Sequence, residues 1–415
     1  MIGLYAARIL ACMAHQTPPA ATLRSSAIRD LLALTQAPGV RSLAGGLPQP
    51  DTFPAARLAD VARDVLAGGA RTALQYGPTE GDPALRAWIA AYETARSGSA
   101  EGPGSGAGPV APERVTVTAG SQQALDLLAR VLCAPGDAVV VEEPTYLGGL
   151  QAWRAAGAVP HPVPTDADGL DVDALARLLA GGLRPVAVHT IPTFQNPTGS
   201  LLPVARRRQL AALADRYGFT VVEDDPYAEL WTPAAGGPVP PVRAWNPDVV
   251  TLGSFSKTVA PGLRVGWAVL PPRLAAPVNR LKQAADLQTS TLAQALVAGL
   301  VADGAWWHAH LATVRVTYAA QGAALADALA FARPRGGMFV WARLADGTDT
   351  ARLLAAGLAR GVAFVPGAEF HVGRPDAATL RLAFATLAPQ GLREAVERLA
   401  LAHADLSADR LPADR

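Results

Sequence analysis

The sequence predicts an α/β fold, with a large domain built on a mainly parallel sheet covered by helices and a smaller α+β domain beside it. Three observations carry this expectation. Short Val-rich runs alternate with amphipathic segments from residue 112 onward, the pattern that right-handed crossovers produce in a parallel sheet. The runs are too uniformly apolar for strands with one wet face and suit a sheet covered on both sides. After about residue 285 the texture changes to long helical stretches followed by three more strand-like runs.

Taken in order, RVTVTAG reads as the first strand of the large sheet and SQQALDLLARVL as the helix behind it. AVVVEEP, PVAVHTIP, FTVVEDD, VVTLGSFS and LRVGWAVLP follow as strands. Between them YLGGLQAWRAAG, DVDALARLLAGG and PVARRRQLAALADRYG carry helical periodicity, the last with a first-turn proline and a C-terminal glycine. TLAQALVAGLVA and ALADALAFA read as helices of the smaller domain, and GGMFVWARL, VAFVPG and TLRLAFATL as its strands. The expected division is 50–285 for the large domain, 21–49 with 286–415 for the small one, and 1–20 as a flexible tail. Residues 95–112, almost all Gly, Ser, Pro and Ala, read as a solvent-exposed loop.

Composition excludes several functions. Of 415 residues, 50% are hydrophobic and 17% charged, and 36 Lys and Arg balance 35 Asp and Glu. No basic block offers a footprint for a phosphate backbone, so nucleic acid is not an expected partner. Cys12 and Cys133 are too few for a disulfide framework or a cysteine-rich metal site, which fits a reducing, cytoplasmic location. No apolar run approaches the roughly 20 residues of a membrane span, and MIGLYAARILACMAHQ lacks the basic start of a signal peptide.

The chemistry centres on SFSKTVAPGLRVGW, residues 254–267. Lys257 follows a strand, Arg264 offers a planar fork suited to a phosphate, and Ser254 and Ser256 can donate hydroxyl hydrogen bonds to the same anion. A lysine on its own would more often snorkel outward. Beside a phosphate grip it suggests a Schiff base with pyridoxal phosphate. That cofactor makes further demands. Its phosphate suits a helix N-terminus, which Gly120, Ser121 and Gln122 supply. Its pyridine nitrogen needs a carboxylate, and VVEDDPY offers Glu223, Asp224 and Asp225. Its phenolate oxygen needs donors, for which Tyr227 and Asn196 are placed, and Tyr146 could stack on the ring. Each match alone reads equally well as an ordinary turn or strand end; their order on successive strand ends is the informative part.

These residues resemble the class I/II aminotransferases, the fold-type I pyridoxal-phosphate enzymes, from about residue 24 to about residue 404. Within that group SAIRDLLALTQAPGVRSLAGGLPQPDTFP, LQYGPTEGDPALR, FQNPTG, EDDPYAEL, GGMFVW and TLRLAFATL are similar to the bacterial 2-aminoadipate and kynurenine aminotransferases. The resemblance implies that Lys257 holds pyridoxal 5′-phosphate and shuttles the substrate proton. It selects Asp224 among the three acids, with Tyr227 and Asn196 on the phenolate oxygen, and implies a phosphate site of Gly120, Ser121, Gln122, Ser254, Ser256 and Arg264. Tyr146 would stack on the ring. Tyr76 matches a tyrosine that reaches a neighbouring subunit's phosphate, which implies a homodimer with shared active sites. Arg381 matches the arginine that takes the substrate α-carboxylate, and Gly45 and Gly46 match backbone lining the substrate side. Arg29, with Ser26 one turn earlier, matches a residue that reads a distal carboxylate.

The implied reaction is a ping-pong transfer of an amino group from an L-amino acid to a 2-oxo acid, 2-oxoglutarate foremost. Two rivals use the same frame. One is a β-eliminating lyase, since the pocket decides which bond breaks. The other is a cofactor-sensing regulator, which the short stretch before residue 24 disfavours because it has no room for a DNA-binding module.

Overall fold

The computed structural model describes residues 39–98 and 107–408. Its strands are β1 (Arg41–Ser42), β2 (Val115–Thr118), β3 (Ala138–Glu143), β4 (Val159–Asp166), β5 (Gly169–Leu170), β6 (Ala187–Thr190), β7 (Thr220–Asp224), β8 (Val250–Ser254), β9 (Gly266–Val269), β10 (Phe339–Arg343), β11 (Val362–Ala363), β12 (Val365–Pro366) and β13 (Thr379–Ala383). Eight of them form one sheet in the order β2-β9-β8-β7-β6-β3-β4-β5. The pairs from β8 through β7, β6 and β3 to β4 are parallel, and β9 runs antiparallel between β2 and β8.

Both faces of this sheet are covered, as the uniform apolar runs require. Val140, Val188 and Val221 pack on one side with Leu175 and Leu210 of the helices Val172–Ala180 and Val204–Tyr217. Val139, Val141, Val222 and Leu252 point to the other side, against Leu125 and Leu128 of the helix Ser121–Leu132 and against Trp153. Alternate valines of one strand thus feed two cores, the period-two geometry of a pleated strand.

The C-terminal part builds a second layer. A 26-residue helix, Gly304–Leu329, leads into the antiparallel sheet β10-β13-β12, and Pro389–Ala408 packs back on it. The chain segment at β1 joins this layer by pairing in parallel with β11.

The structure departs from the sequence reading in three places. The helix Pro83–Gly98 runs into the segment expected to be loop; Ser97 is buried, and Val110 is buried with its N–H donating to Thr94 Oγ1 at 2.8 Å. Pro203 is the cap rather than the first residue of its helix, which Gly218 ends in the left-handed region at φ 76°. VPHPVPTD forms β4 although prolines alternate through it. Beyond β3 it is met only by β5 at Thr165 and Asp166, so the missing N–H groups forfeit no ladder bond.

Candidate active site

The carboxyl ends of the parallel strands open into a cavity of about 450 Å³. This is where open α/β sheets place ligands. Lys257 and Arg264 enter from the segment joining β8 to β9, Asp224 and Tyr227 from the end of β7, Asn196 from beyond β6, and Tyr146 from beyond β3. Ser121 and Gln122 open the helix Ser121–Leu132, Ser254 and Ser256 lie beside Lys257, and Gly46 and Arg381 come from the second layer.

The three acids of VVEDDPY are all buried, which overturns a reading of them as solvated strand ends. Their partners separate them. Glu223 accepts from the Val242 N–H at 2.8 Å and lies 3.7 Å from Arg207, and burial pushes its carboxyl up to about 7. Asp225 pairs with Arg96. Of the three, Asp224 alone lines the cavity; its Oδ2 is 3.9 Å from His189 Nε2, and its Oδ1 has no hydrogen-bond partner among the described residues. A buried carboxylate oxygen left unpaired is costly unless something protonated is meant to meet it.

A cradle for an anion lies nearby. Gly120 caps the helix Ser121–Leu132 at φ 79° and ψ 167°, a region essentially reserved for glycine. A Cβ there would sit 2.5 Å from Arg264 Nη2. Arg264 donates to the Ala119 carbonyl at 2.9 Å and reaches Ser256 Oγ at 3.5 Å. Free N–H groups, the helix dipole, two hydroxyls and a guanidinium therefore converge. Gly120→Ala is expected to cost about 1–3 kcal/mol in thermal unfolding and to weaken pyridoxal phosphate binding measured by titration.

Lys257 Nζ donates to the Gly46 carbonyl at 2.9 Å. Burial, then the Arg381 and Arg264 cations, pull its amine down from 10.5 to about 8, with Asp224 opposing. In the cofactor-free protein, reductive methylation of Lys257 read by mass spectrometry should therefore switch on near pH 8, and Arg264→Gln should move that midpoint up. The folded value lies below the unfolded one, so between about 8 and 10.5 the unfolded chain holds the proton and this amine adds stability as pH rises.

Arg381 is 2% exposed, donates to Asn196 Oδ1 at 2.8 Å and to the Ala44 carbonyl at 2.7 Å, and has Phe339 and Phe370 rings 4.3 and 4.9 Å from its guanidinium carbon. Its Nε is unpaired among the described residues. Burial lowers its pKa to about 10. Asn196 Nδ2 in turn donates to the Tyr227 hydroxyl at 3.4 Å, and burial pushes that phenol up. Tyr146 donates to Gln122 Oε1 at 3.2 Å, and burial pushes it up to about 12.

The cavity does not gather every expected residue. Gly120 sits behind Arg264, Gly45 is buried behind Gly46, and Tyr76 is 77% exposed outside the lining. Arg29 and Ser26 lie outside the described residues. Sequence reasoning missed His189, Gly148, Gln151, Ile191 and Phe339. The doubled glycine after Tyr146 was the available signal: a Cβ on Gly148 would stand 2.4 Å from the Tyr146 hydroxyl, and one on Gly149 2.2 Å from His189 Cε1.

The profile of the family described as aminotransferase class I and II matches residues 42–399. The chain belongs to the class I and II aminotransferases. The 2-aminoadipate transaminase of Thermus thermophilus is 40% identical over 393 residues, 92% of this chain and 94% of its own. The aromatic-amino-acid aminotransferase 1 of Thermococcus litoralis is 39% identical over 392 residues, 91% of each chain. Among solved structures, the α-aminoadipate aminotransferase of Thermus thermophilus, complexed with N-(5′-phosphopyridoxyl)-L-leucine, superposes with a TM-score of 0.85 at 38% identity, covering 95% of this chain and 98% of that one. This aminotransferase therefore has the fold-type I architecture that its motifs imply. Among the described residues, no helix is long and apolar enough to cross a membrane and no cluster of metal-ligating side chains occurs.

Proposed function

We propose that this aminotransferase uses pyridoxal 5′-phosphate to move an amino group from an L-amino acid of the 2-aminoadipate or aromatic type to a 2-oxo acid such as 2-oxoglutarate, in two successive half-reactions. The observation that carries the reading is one cavity holding Lys257, the unpaired Asp224 oxygen, Arg264 backed by Gly120, and the Asn196–Arg381 pair. When bound, the cofactor supplies an aldehyde for the amine and an electron sink for the pair left by the α-proton. Asp224 would face its ring nitrogen, Tyr227 and Asn196 its phenolate oxygen, Tyr146 its ring, and Ser121, Gln122, Ser254, Ser256 and Arg264 its phosphate.

The chain's own work is then to bind, orient and move a proton. Arg381 grips the α-carboxylate, which fixes the Cα–H bond relative to Lys257. Lys257, with its amine near neutrality, takes the α-proton and holds it on Nζ for return across the transferred nitrogen. Leu47, Leu147, Ile191 and Phe339 give the cavity an apolar side suited to a long or aromatic side chain. Arg29 and Ser26 are the proposed readers of a distal carboxylate, and Tyr76 the proposed contribution to a neighbouring copy's site in a homodimer.

A donor panel with 2-oxoglutarate as acceptor tests this. Transfer from 2-aminoadipate or aromatic donors, with stoichiometric glutamate, is the expected result. Sustained pyruvate and ammonia from an amino acid alone, without acceptor, would favour the β-eliminating reading instead.

A further inference from the structure

The two consecutive carboxylates at the end of β3 do separate jobs on opposite faces of the strand. Glu142 is 2% exposed and accepts from Thr190 Oγ1 at 2.5 Å, the Ile191 N–H at 3.2 Å and Gln195 Nε2 at 3.0 Å. Gln195 also donates to the Pro144 carbonyl at 2.9 Å, while its own oxygen accepts from the Thr198 N–H and hydroxyl, each at 2.7 Å. Glu142 thus holds the loop on the near side of Asn196, and Gln195 carries the hold past that residue to Thr198.

Glu143 faces the second layer. Its Oε1 lies 2.9 Å from His371 Nδ1 and 3.3 Å from the Gly373 N–H, and its Oε2 accepts from the Val372 N–H at 2.9 Å. The Thr145 N–H donates to the Phe370 carbonyl at 2.8 Å. Phe370, the residue before His371, is one of the two rings against Arg381. Glu143 therefore ties the wall behind Arg381 to the strand from which Glu142 holds Asn196.

We propose that Glu142 and Glu143 are positioning residues for α-carboxylate recognition, each holding one half of the Asn196–Arg381 pair at its working geometry. The proposal rests on the reading of Arg381 as the carboxylate site. Neither glutamate lines the cavity, so each acts through the residues it holds. Both hang from one strand end, so the spacing between an asparagine of the large sheet and an arginine of the second layer is set by a two-residue clamp. Charged hydrogen bonds carry it, and these are stronger and more directional than neutral ones.

The test compares two affinities in the same variants. Glu142→Gln and Glu143→Gln each put an amide nitrogen where a carboxylate oxygen accepts a donor, at unchanged size. The probe is 3-phenylpropionate, an unreactive carboxylate, with glutarate as second probe, titrated calorimetrically into cofactor-loaded protein at pH 8.5. That pH is above the value of about 7 to which burial pushes the Glu142 carboxyl. Pyridoxal phosphate affinity is measured separately on the cofactor-free protein. The expected result is a Kd for the probe raised about tenfold in each variant, with cofactor affinity within about twofold of wild type in Glu143→Gln, which acts on the Arg381 side, and lowered by a clearly smaller factor than probe affinity in Glu142→Gln, because Asn196 also faces the cofactor. Probe and cofactor affinities that fall by equal factors in both variants would make the glutamates general supports of the fold and overturn the proposal. So would an unchanged probe Kd, or wild-type protein that binds neither carboxylate. If Glu142→Gln does not fold, Glu143→Gln on the less buried side decides alone. Protein that binds cofactor and probe but transfers no amino group would refute the reaction and leave the clamp standing.

Discussion

Lys257→Ala protein is expected to lose at least about 10⁴-fold in turnover and to hold pyridoxal phosphate without any bond that borohydride can fix. Lys257 is the one primary amine among the described residues lining the cavity. The other deeply buried lysine, Lys282, is committed to Asp286 at 2.9 Å and lies outside the cavity. The variant therefore has no substitute nucleophile or base at hand. Its fold should survive, because truncation removes a desolvated amine whose hydrogen bond goes to a carbonyl, that of Gly46. Added methylamine should recover part of the rate if the missing function is that of a free amine. Turnover near wild type in Lys257→Ala would remove this residue from the chemistry and, with it, the assignment of the cavity.

The parts of the fold legible in the sequence are those where a local pattern and the tertiary demand coincide. β3, β6, β7 and β8 are covered on both faces, so Val and other apolar residues fill much of their length and the runs stood out, while polar residues gather toward the carboxyl ends that open on the cavity. β4 escaped because its prolines contradict a strand unless one edge is free, and edge position is a property of the assembled sheet. The same division holds in the cavity. Lys257, Arg264 and Asn196 sit in turns with distinctive chemistry. Asp224 could not be separated from Glu223 and Asp225 on pattern alone; what separates them is that Arg207 and the Val242 N–H occupy Glu223 and Arg96 occupies Asp225, while Asp224 alone faces the cavity. The roles of Glu142 and Glu143 were invisible because their partners lie up to 230 residues away. No spacing rule connects a strand end to a loop of a different layer.

Arg381→Lys tests how much of substrate recognition rests on geometry as distinct from charge. The guanidinium uses one nitrogen on Asn196 and another on the Ala44 carbonyl, and the Phe339 and Phe370 rings hold its plane. A lysine would keep the positive charge but has neither the fork nor the flat face that two aromatic rings require. It would also be a more strongly hydrated ion in a site buried enough to depress even the arginine to about 10. Loss of a bidentate grip in a desolvated site costs about 2–5 kcal/mol, so KM for the amino donor and for the 2-oxo acid should each rise by about 30-fold or more. Both half-reactions should suffer alike, because donor and acceptor share the α-carboxylate and differ only beyond it. Lys257 should still capture the cofactor, since Arg381 is only one of the influences that lower its amine. A variant whose KM rises for one substrate and not the other would place Arg381 at the side-chain end of the pocket, and the α-carboxylate would then have to be sought at another cation.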